Sequence, residues 1–219
     1  MTGQSKIFLK SEANNWYKRN KKNICDNNLV KKDKHILLTQ LEKIIKKYPN
    51  KSLNILEIGC SNGRILNYLK IKFPRVRVFG LEPSKIAINN KLSNQIHIEH
   101  GVAHKIPYKS KKFDMLIFGA CLSWSDSKDL FNIAEEATRV TKSNAFIAID
   151  DFFSKKIKYF EYHHKKGIFT RKMDYSKIFL WHPFFSLFFK KITNFRRKIK
   201  KNKYVLDSSS VFILKKNEG

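Results

Sequence analysis

Between residues 50 and 151, short apolar runs alternate with amphipathic stretches. Leu53, Ile55, Leu56 and Ile58 form a run too short to stand alone as a helix and apolar enough for a central parallel strand. Val76 to Glu82 repeats the pattern. Gln95 to Glu99, with Ile96 and Ile98 facing one way, Phe113 to Phe118 and Ala145 to Ile149 give a third, fourth and fifth strand. Between the runs, apolar residues fall at helical spacing: Ile65, Leu66 and Leu69; Ile86 and Ile88 in the stretch begun by Pro83-Ser84; and Leu130, Ile133, Ala134, Ala137 and Val140. Ahead of them, Ile36, Leu37, Leu41, Ile44, Ile45 and Tyr48 mark an amphipathic helix closed by Pro49-Asn50. This alternation predicts an α/β fold, a mostly parallel sheet with helices on both faces. Val211 to Leu214 adds a closing strand, expected to run antiparallel.

The pattern divides a single expected domain into four parts. Residues 1–50 form an N-terminal helical cap, 51–151 the core, 152–204 a basic, aromatic segment and 205–219 the closing strand. In the cap, Trp16 and Tyr17 stand in a very polar context, suited either to docking the helix or to lining a site mouth. In the later segment, Ile178 to Lys191 is rich in aromatics but broken by His182-Pro183. Its plainest reading is a helix that starts near Pro183 and covers the sheet. A lid, or an interfacial contact with anionic lipid beside Arg196-Arg197-Lys198, are the alternatives.

Composition narrows the setting. No 18-residue apolar span exists, so no transmembrane helix is expected. Met1 to Lys10 lacks the apolar centre of a signal peptide. Cys25, Cys60 and Cys121 form no CxxC pair, which suits a reducing, cytoplasmic location. The net charge of +27 points to nucleic acid, an anionic membrane or an anionic substrate, yet only 8 of 45 basic residues are arginine. A coding bias toward Lys, Asn and Ile accounts for much of such an excess. The segment 152–204 carries 16 basic residues against 2 acidic, so any basic patch belongs there.

Open α/β sheets bind ligands beyond the carboxyl ends of their strands. The turns that converge there are Glu57 to Gly63, Glu82-Pro83-Ser84, Gly101 to His104, Gly119-Ala120-Cys121 and Asp150-Asp151. Gly59 and Gly63 permit a tight turn with amides aimed at a ligand, and Glu82 at the second strand end suits the two hydroxyls of a ribose. A dinucleotide loop would need glycines at 59, 61 and 64, where Gly59, Ser61 and Arg64 stand. No Walker loop is present.

Glu57-Ile58-Gly59-Cys60-Ser61-Asn62-Gly63 resembles motif I, E/D-x-G-x-x-x-G, of class I S-adenosylmethionine-dependent methyltransferases. Glu82, the turn Gly101 to Pro107 and the strand Phe113 to Phe118 are similar to its later motifs in order and spacing, over about residues 50–151. The flanks Phe8 to Glu12 with Trp16, and Lys172 to Lys177 with Leu180 to Pro183, resemble a bacterial subgroup often associated with surface-polysaccharide and secondary pathways.

The resemblance implies a Rossmann-like fold, S-adenosyl-L-methionine as cofactor and S-adenosyl-L-homocysteine as product. It implies that Gly59, Cys60, Ser61, Asn62 and Gly63 hold the methionine part, that Glu57 approaches its amino end and that Glu82 takes the ribose hydroxyls. Pro83 and Ser84 would flank the adenine, the turn Val102, Ala103 and His104 would meet its edge, and Gly119 and Ala120 would lie under the methyl. Two departures stand out. Many relatives place an accepting acid where Val102 stands, and Ser61 replaces a glycine, which asks for a more ordinary backbone there.

A hydroxyl acceptor calls for a general base. Asp150, Asp151, His163 and Tyr175 are the leading candidates, with His164 and His182 behind them. A metal has no ligand spacing in its favour, and none is expected. Cys60 and Cys121 read as turn residues, not nucleophiles. The expected acceptor is a hydroxyl or amine of a small-molecule or glycan-precursor compound. RNA methylation is a rival prompted by charge, against which stands the turn Gly119 to Trp124, which is no Asn/Asp-Pro-Pro-Tyr box. A non-catalytic, cofactor-binding partner subunit is the other.

Overall fold

The computed structural model describes residues 3–25, 35–200 and 203–218. Its centre is a seven-stranded sheet, formed by β1 (Asn54–Ile58), β2 (Arg77–Glu82), β3 (His97–His100), β4 (Phe113–Gly119), β5 (Thr141–Phe152), β8 (Phe185–Lys200) and β9 (Lys203–Lys216) in the order β3-β2-β1-β4-β5-β9-β8. The first five run parallel, β9 pairs antiparallel with β5, and β8 pairs antiparallel with β9. A separate hairpin, β6 (Lys158–Glu161) and β7 (Phe169–Lys172), lies after β5.

Alternation along the strands feeds two cores. On one face Leu56, Ile58, Leu116, Phe118, Ile147, Ile149 and Phe212 pack with Ile133, Ala137 and Val140 of α6 (Leu130–Val140) and with Phe179 of α7 (Lys177–Leu180). On the other, Ile55, Met115, Ile117, Phe146, Ala148 and Ile213 pack with Leu37, Leu41 and Ile44 of α3 (Ile36–Lys46) and with Leu66 and Leu69 of α4 (Arg64–Lys72). Parallel strands buried on both faces read as near-continuous apolar runs, which is why they stand out in the sequence. Packing is tight at Gly80 in β2. A Cβ there would stand 2.4 Å from Cys60 Sγ and 3.1 Å from Ile98 Cγ1.

Residues 3–25 are helical throughout: α1 (Gly3–Ile7), a π-helical turn (Phe8–Glu12) and α2 (Ala13–Cys25). Its Asn14 Oδ1 accepts from Ser84 Oγ at 2.9 Å and from the Ile86 amide at 3.1 Å, which docks α2 on α5 (Lys85–Asn89). Tyr17 is buried at 1% exposure and anchors the helix, while Trp16 faces the cavity described below, so the two aromatics divide the roles expected of them.

One expectation is corrected. The aromatic segment forms no helix at Pro183. It enters the strand β8 at Phe185, with a bulge between Leu187 and Phe189. The run Phe-Ser-Leu-Phe-Phe is aromatic enough to sit on a pleated edge, and β9 offers that edge a partner along its length. His182 follows α7, and its Nδ1 lies 3.3 Å from the Phe184 amide. The side chains of Arg196, Arg197 and Lys198, invoked for lipid contact, lie outside the described residues. Among the described residues, no helix is long and apolar enough to cross a membrane.

Candidate functional site

β1 pairs with both β2 and β4, and the chain order reverses there, so this is the switch point of the sheet. Ile58 stands opposite Leu81 and Phe118, and Gly119 opposite Asp150. The residues that leave these strands therefore emerge at one level. Beyond them opens a cavity of about 410 Å³, lined by Gly59, Ser61, Glu82, Pro83, Val102 to His104 and Gly119 to Cys121 from the strand ends. Ser5, Phe8 and Trp16 of the cap, Trp124, Ser125 and Asp129 of the loop after β4, Ile133 and Phe152 complete it.

The first turn is held by a reciprocal clamp. Gly59 has a φ of +68° and donates its amide to Leu81 O at 2.8 Å. A Cβ on Gly59 would stand 2.7 Å from Cys121 Cβ, so glycine serves both the left-handed backbone and the close approach. Ser61 departs from expectation: its φ of +54° is left-handed, not ordinary. The strain is offset by Glu82, whose Oε2 accepts from the Ser61 amide at 2.7 Å. The Oε1 of Glu82 accepts from the Ser84 amide at 2.8 Å. Ala120 takes a left-handed φ of +52° in the same way, with its amide donating to Asp150 O at 2.7 Å.

Two carboxyls under this turn are buried. Glu57 is 4% exposed and its Oε2 has no hydrogen-bond partner, and burial pushes its pKa up to about 8, against the pull of Arg64. Burial also pushes Glu82 up to about 7, although the Ser84 and Ser61 amides oppose the shift. Both carboxyls hold protons more tightly when folded. Their stabilising contribution is therefore full below about pH 4.5 and is lost as pH rises toward 8. The ligand-free protein is expected to lose this part of its stability across that window. Glu57→Gln should flatten the slope relative to the natural chain, and thermal melts of both proteins from about pH 5 to 8 check it. Parallel Tm profiles would sink the assignment.

Of the cofactor candidates, Glu57, Cys60, Asn62, Gly63 and Ser84 stand behind the turns and do not line the cavity. Burial raises the Cys60 and Cys121 thiols well above their ordinary range, so neither is a poised nucleophile. The four candidate bases also lie off the cavity wall. Asp151 turns into the loop after β4, where it accepts from the Ser123 amide at 3.1 Å and the Phe152 amide at 2.7 Å. Asp150 Oδ2 is 3.5 Å from His35 Nε2. Tyr175 is fully buried and donates to Arg171 O at 2.7 Å. His163 is exposed in the β6–β7 hairpin, with its ring centroid 3.8 Å from that of His164.

What the sequence reading missed is Asp129. It is 3% exposed, it accepts from Ser5 Oγ at 2.6 Å, and its Oδ2 lies 3.3 Å from His104 Nδ1. No local spacing signals a contact between residues 5, 104 and 129. The cap also closes over the loops through Gln4, whose Nε2 donates to Trp124 O at 2.6 Å and to Phe169 O at 2.9 Å. Phe8 meets the Trp124 ring edge-on at 5.8 Å.

A switch-point cavity with a glycine turn, a carboxylate at the end of the second strand and a helical roof belongs to a Rossmann-like fold. Residues 56–149 match the family model described as a methyltransferase domain. Solved structures with the same architecture include a SAM-dependent methyltransferase from Methanosarcina mazei, 16% identical, with a TM-score of 0.63 over 80% of this chain and 97% of that one. Another is the Burkholderia thailandensis 1,6-didemethyltoxoflavin-N1-methyltransferase with bound 1,6-didemethyltoxoflavin and S-adenosylhomocysteine. It is 14% identical, with a TM-score of 0.64 over 97% of this chain and 88% of that one. At these identities the likeness is one of fold. No curated protein sequence matches the chain.

Proposed function

We propose that this protein transfers a methyl group from S-adenosyl-L-methionine to a hydroxyl or amine of a small-molecule acceptor, glycan precursors included. The observation that carries the reading is the pair of buried carboxyls, Glu57 and Glu82, on either side of the turn at Gly59. The partnerless Oε2 of Glu57 suits the cationic amino end of the cofactor, and Glu82 at the end of β2 suits its ribose. Backbone at Gly59 to Gly63 would hold the methionine part. Pro83 and Ser84 would flank the adenine, Val102, Ala103 and His104 its edge, and Gly119 and Ala120 the transferred methyl.

When bound, the cofactor supplies an electrophilic methyl on a sulfonium, so the chain's own work is alignment and exclusion of water. Phe8, Trp16, Trp124 and Phe152 place four aromatic rings on the cavity wall, which supports a small, flat acceptor over a polymer. That the Burkholderia neighbour, by its name, acts on 1,6-didemethyltoxoflavin supports the same reading. Calorimetry with S-adenosylmethionine and S-adenosylhomocysteine tests cofactor binding, and no heat with either overturns it. Labelled methyl offered with cell extract should then appear in the small-molecule fraction. Label confined to RNA would replace this reading with the nucleic-acid one.

A further inference from the structure

Arginine stays charged at every pH a folded protein meets, so a buried guanidinium calls for an anion. Arg171 of β7 is 3% exposed. Among the described residues, the acids that flank it in chain or fold have other partners. Asp207 pairs with Lys172, Asp174 accepts from the Ser176 amide, and Asp151 accepts from the Ser123 and Phe152 amides. The Nε of Arg171 has no hydrogen-bond partner. Its Nη2 donates to the uncharged Ser125 carbonyl at 3.3 Å, and the Tyr175 ring centroid stands 5.9 Å from Cζ.

Ser125 is where this charge meets the cavity. It belongs to the wall together with Trp124 and Phe152, so the guanidinium, which does not line the cavity itself, stands one residue behind that wall. The position is braced. Gln4 of the cap donates to the Trp124 carbonyl at 2.6 Å and to the Phe169 carbonyl at 2.9 Å, and Tyr175 donates to the Arg171 carbonyl at 2.7 Å. A cation held there without a counter-charge makes the cavity side of Ser125 attractive to anions, and a buried setting screens that attraction less than water does.

Resting on the reading of this cavity as a methyl-transfer site, we infer that the acceptor is an anion, whose carboxylate or phosphate sits against the Ser125 wall in the field of Arg171. Arg171 then selects anionic acceptors over neutral ones of the same shape. The unpaired charge that burdens the empty fold is matched when the acceptor enters.

The test is calorimetry on the full chain saturated with S-adenosylhomocysteine, with benzoate, phenyl phosphate and uncharged benzamide as probes. At least one anion should bind about 10-fold or more tightly than benzamide, and the tighter of the two names the acceptor's charged group. Arg171→Gln should bring that anion to within about twofold of benzamide, and Arg171→Lys, which keeps the charge, should retain most of the preference. Affinity for benzamide should be the same in all three proteins. No preference for either anion in the natural chain, or a preference that survives in Arg171→Gln, overturns the inference. If Arg171→Gln does not fold, a crystal structure of the natural chain with the tighter anion decides: a charged group beside Ser125 supports the inference, and one seated elsewhere overturns it. Failure of the natural chain to bind S-adenosylhomocysteine overturns the underlying cofactor reading instead.

Discussion

Replacing Glu82 with alanine is expected to reduce affinity for S-adenosylhomocysteine by at least about 100-fold and to lower Tm by several degrees. The carboxylate holds the Ser61 amide with one oxygen and the Ser84 amide with the other, at 7% exposure. Removing it leaves two amides without partners, each costing about 1–3 kcal/mol. The damage spreads because Ser84 caps α5, accepting from the Ala87 amide at 3.1 Å, and also donates to Asn14 in the cap. One side chain thus fixes the turn after β1, the turn after β2 and the seat of the N-terminal helix. Glu82→Gln keeps one acceptor and should fall between the two. Calorimetry together with thermal melts reads both effects, and alanine at 82 with affinity within threefold of the natural chain would end the ribose assignment.

The second large effect concerns stability alone. Lys172, the last residue of β7, pairs with Asp207 of β9, and both side chains are 7% exposed. The ammonium also lies 4.6 Å from the Phe152 ring centroid and 4.9 Å from that of Phe160. Lys172→Met removes the cation beside a buried carboxylate that the Ser208 amide also reaches at 3.0 Å, and should cost about 3–5 kcal/mol in urea unfolding. The double change Lys172→Met with Asp207→Asn should recover much of the loss, because an unpaired charge costs more than a missing pair. Additive losses in the double variant would show that the pair does not act as a unit.

The parallel strands were legible because burial on both faces writes a continuous apolar run, as in Phe113 to Phe118. The site turns were legible because glycine and acid stand at strand ends in fixed order. Residues brought together across the fold were not. Asp129, His104 and Ser5 meet only after the cap has docked, and nothing in their local neighbourhoods marks it. Asp151 stands at a strand end in sequence, but the sequence does not say which way a side chain faces, and both it and Tyr175 turn into the protein. β8 was misread because its aromatic start is compatible with either period, and only the free edge of β9 decides between them.

The contact between Gly80 and Cys60 carries a consequence for the descent of this chain. A would-be Cβ at 80 falls inside contact distance of the sulfur, so position 80 cannot enlarge while Cys60 keeps its place. Drift at the two sites is therefore coupled. A lineage that acquires alanine or a larger residue at 80 must already carry, or soon gain, glycine or alanine at 60, and sequences with bulk at both should be missing from its close kin.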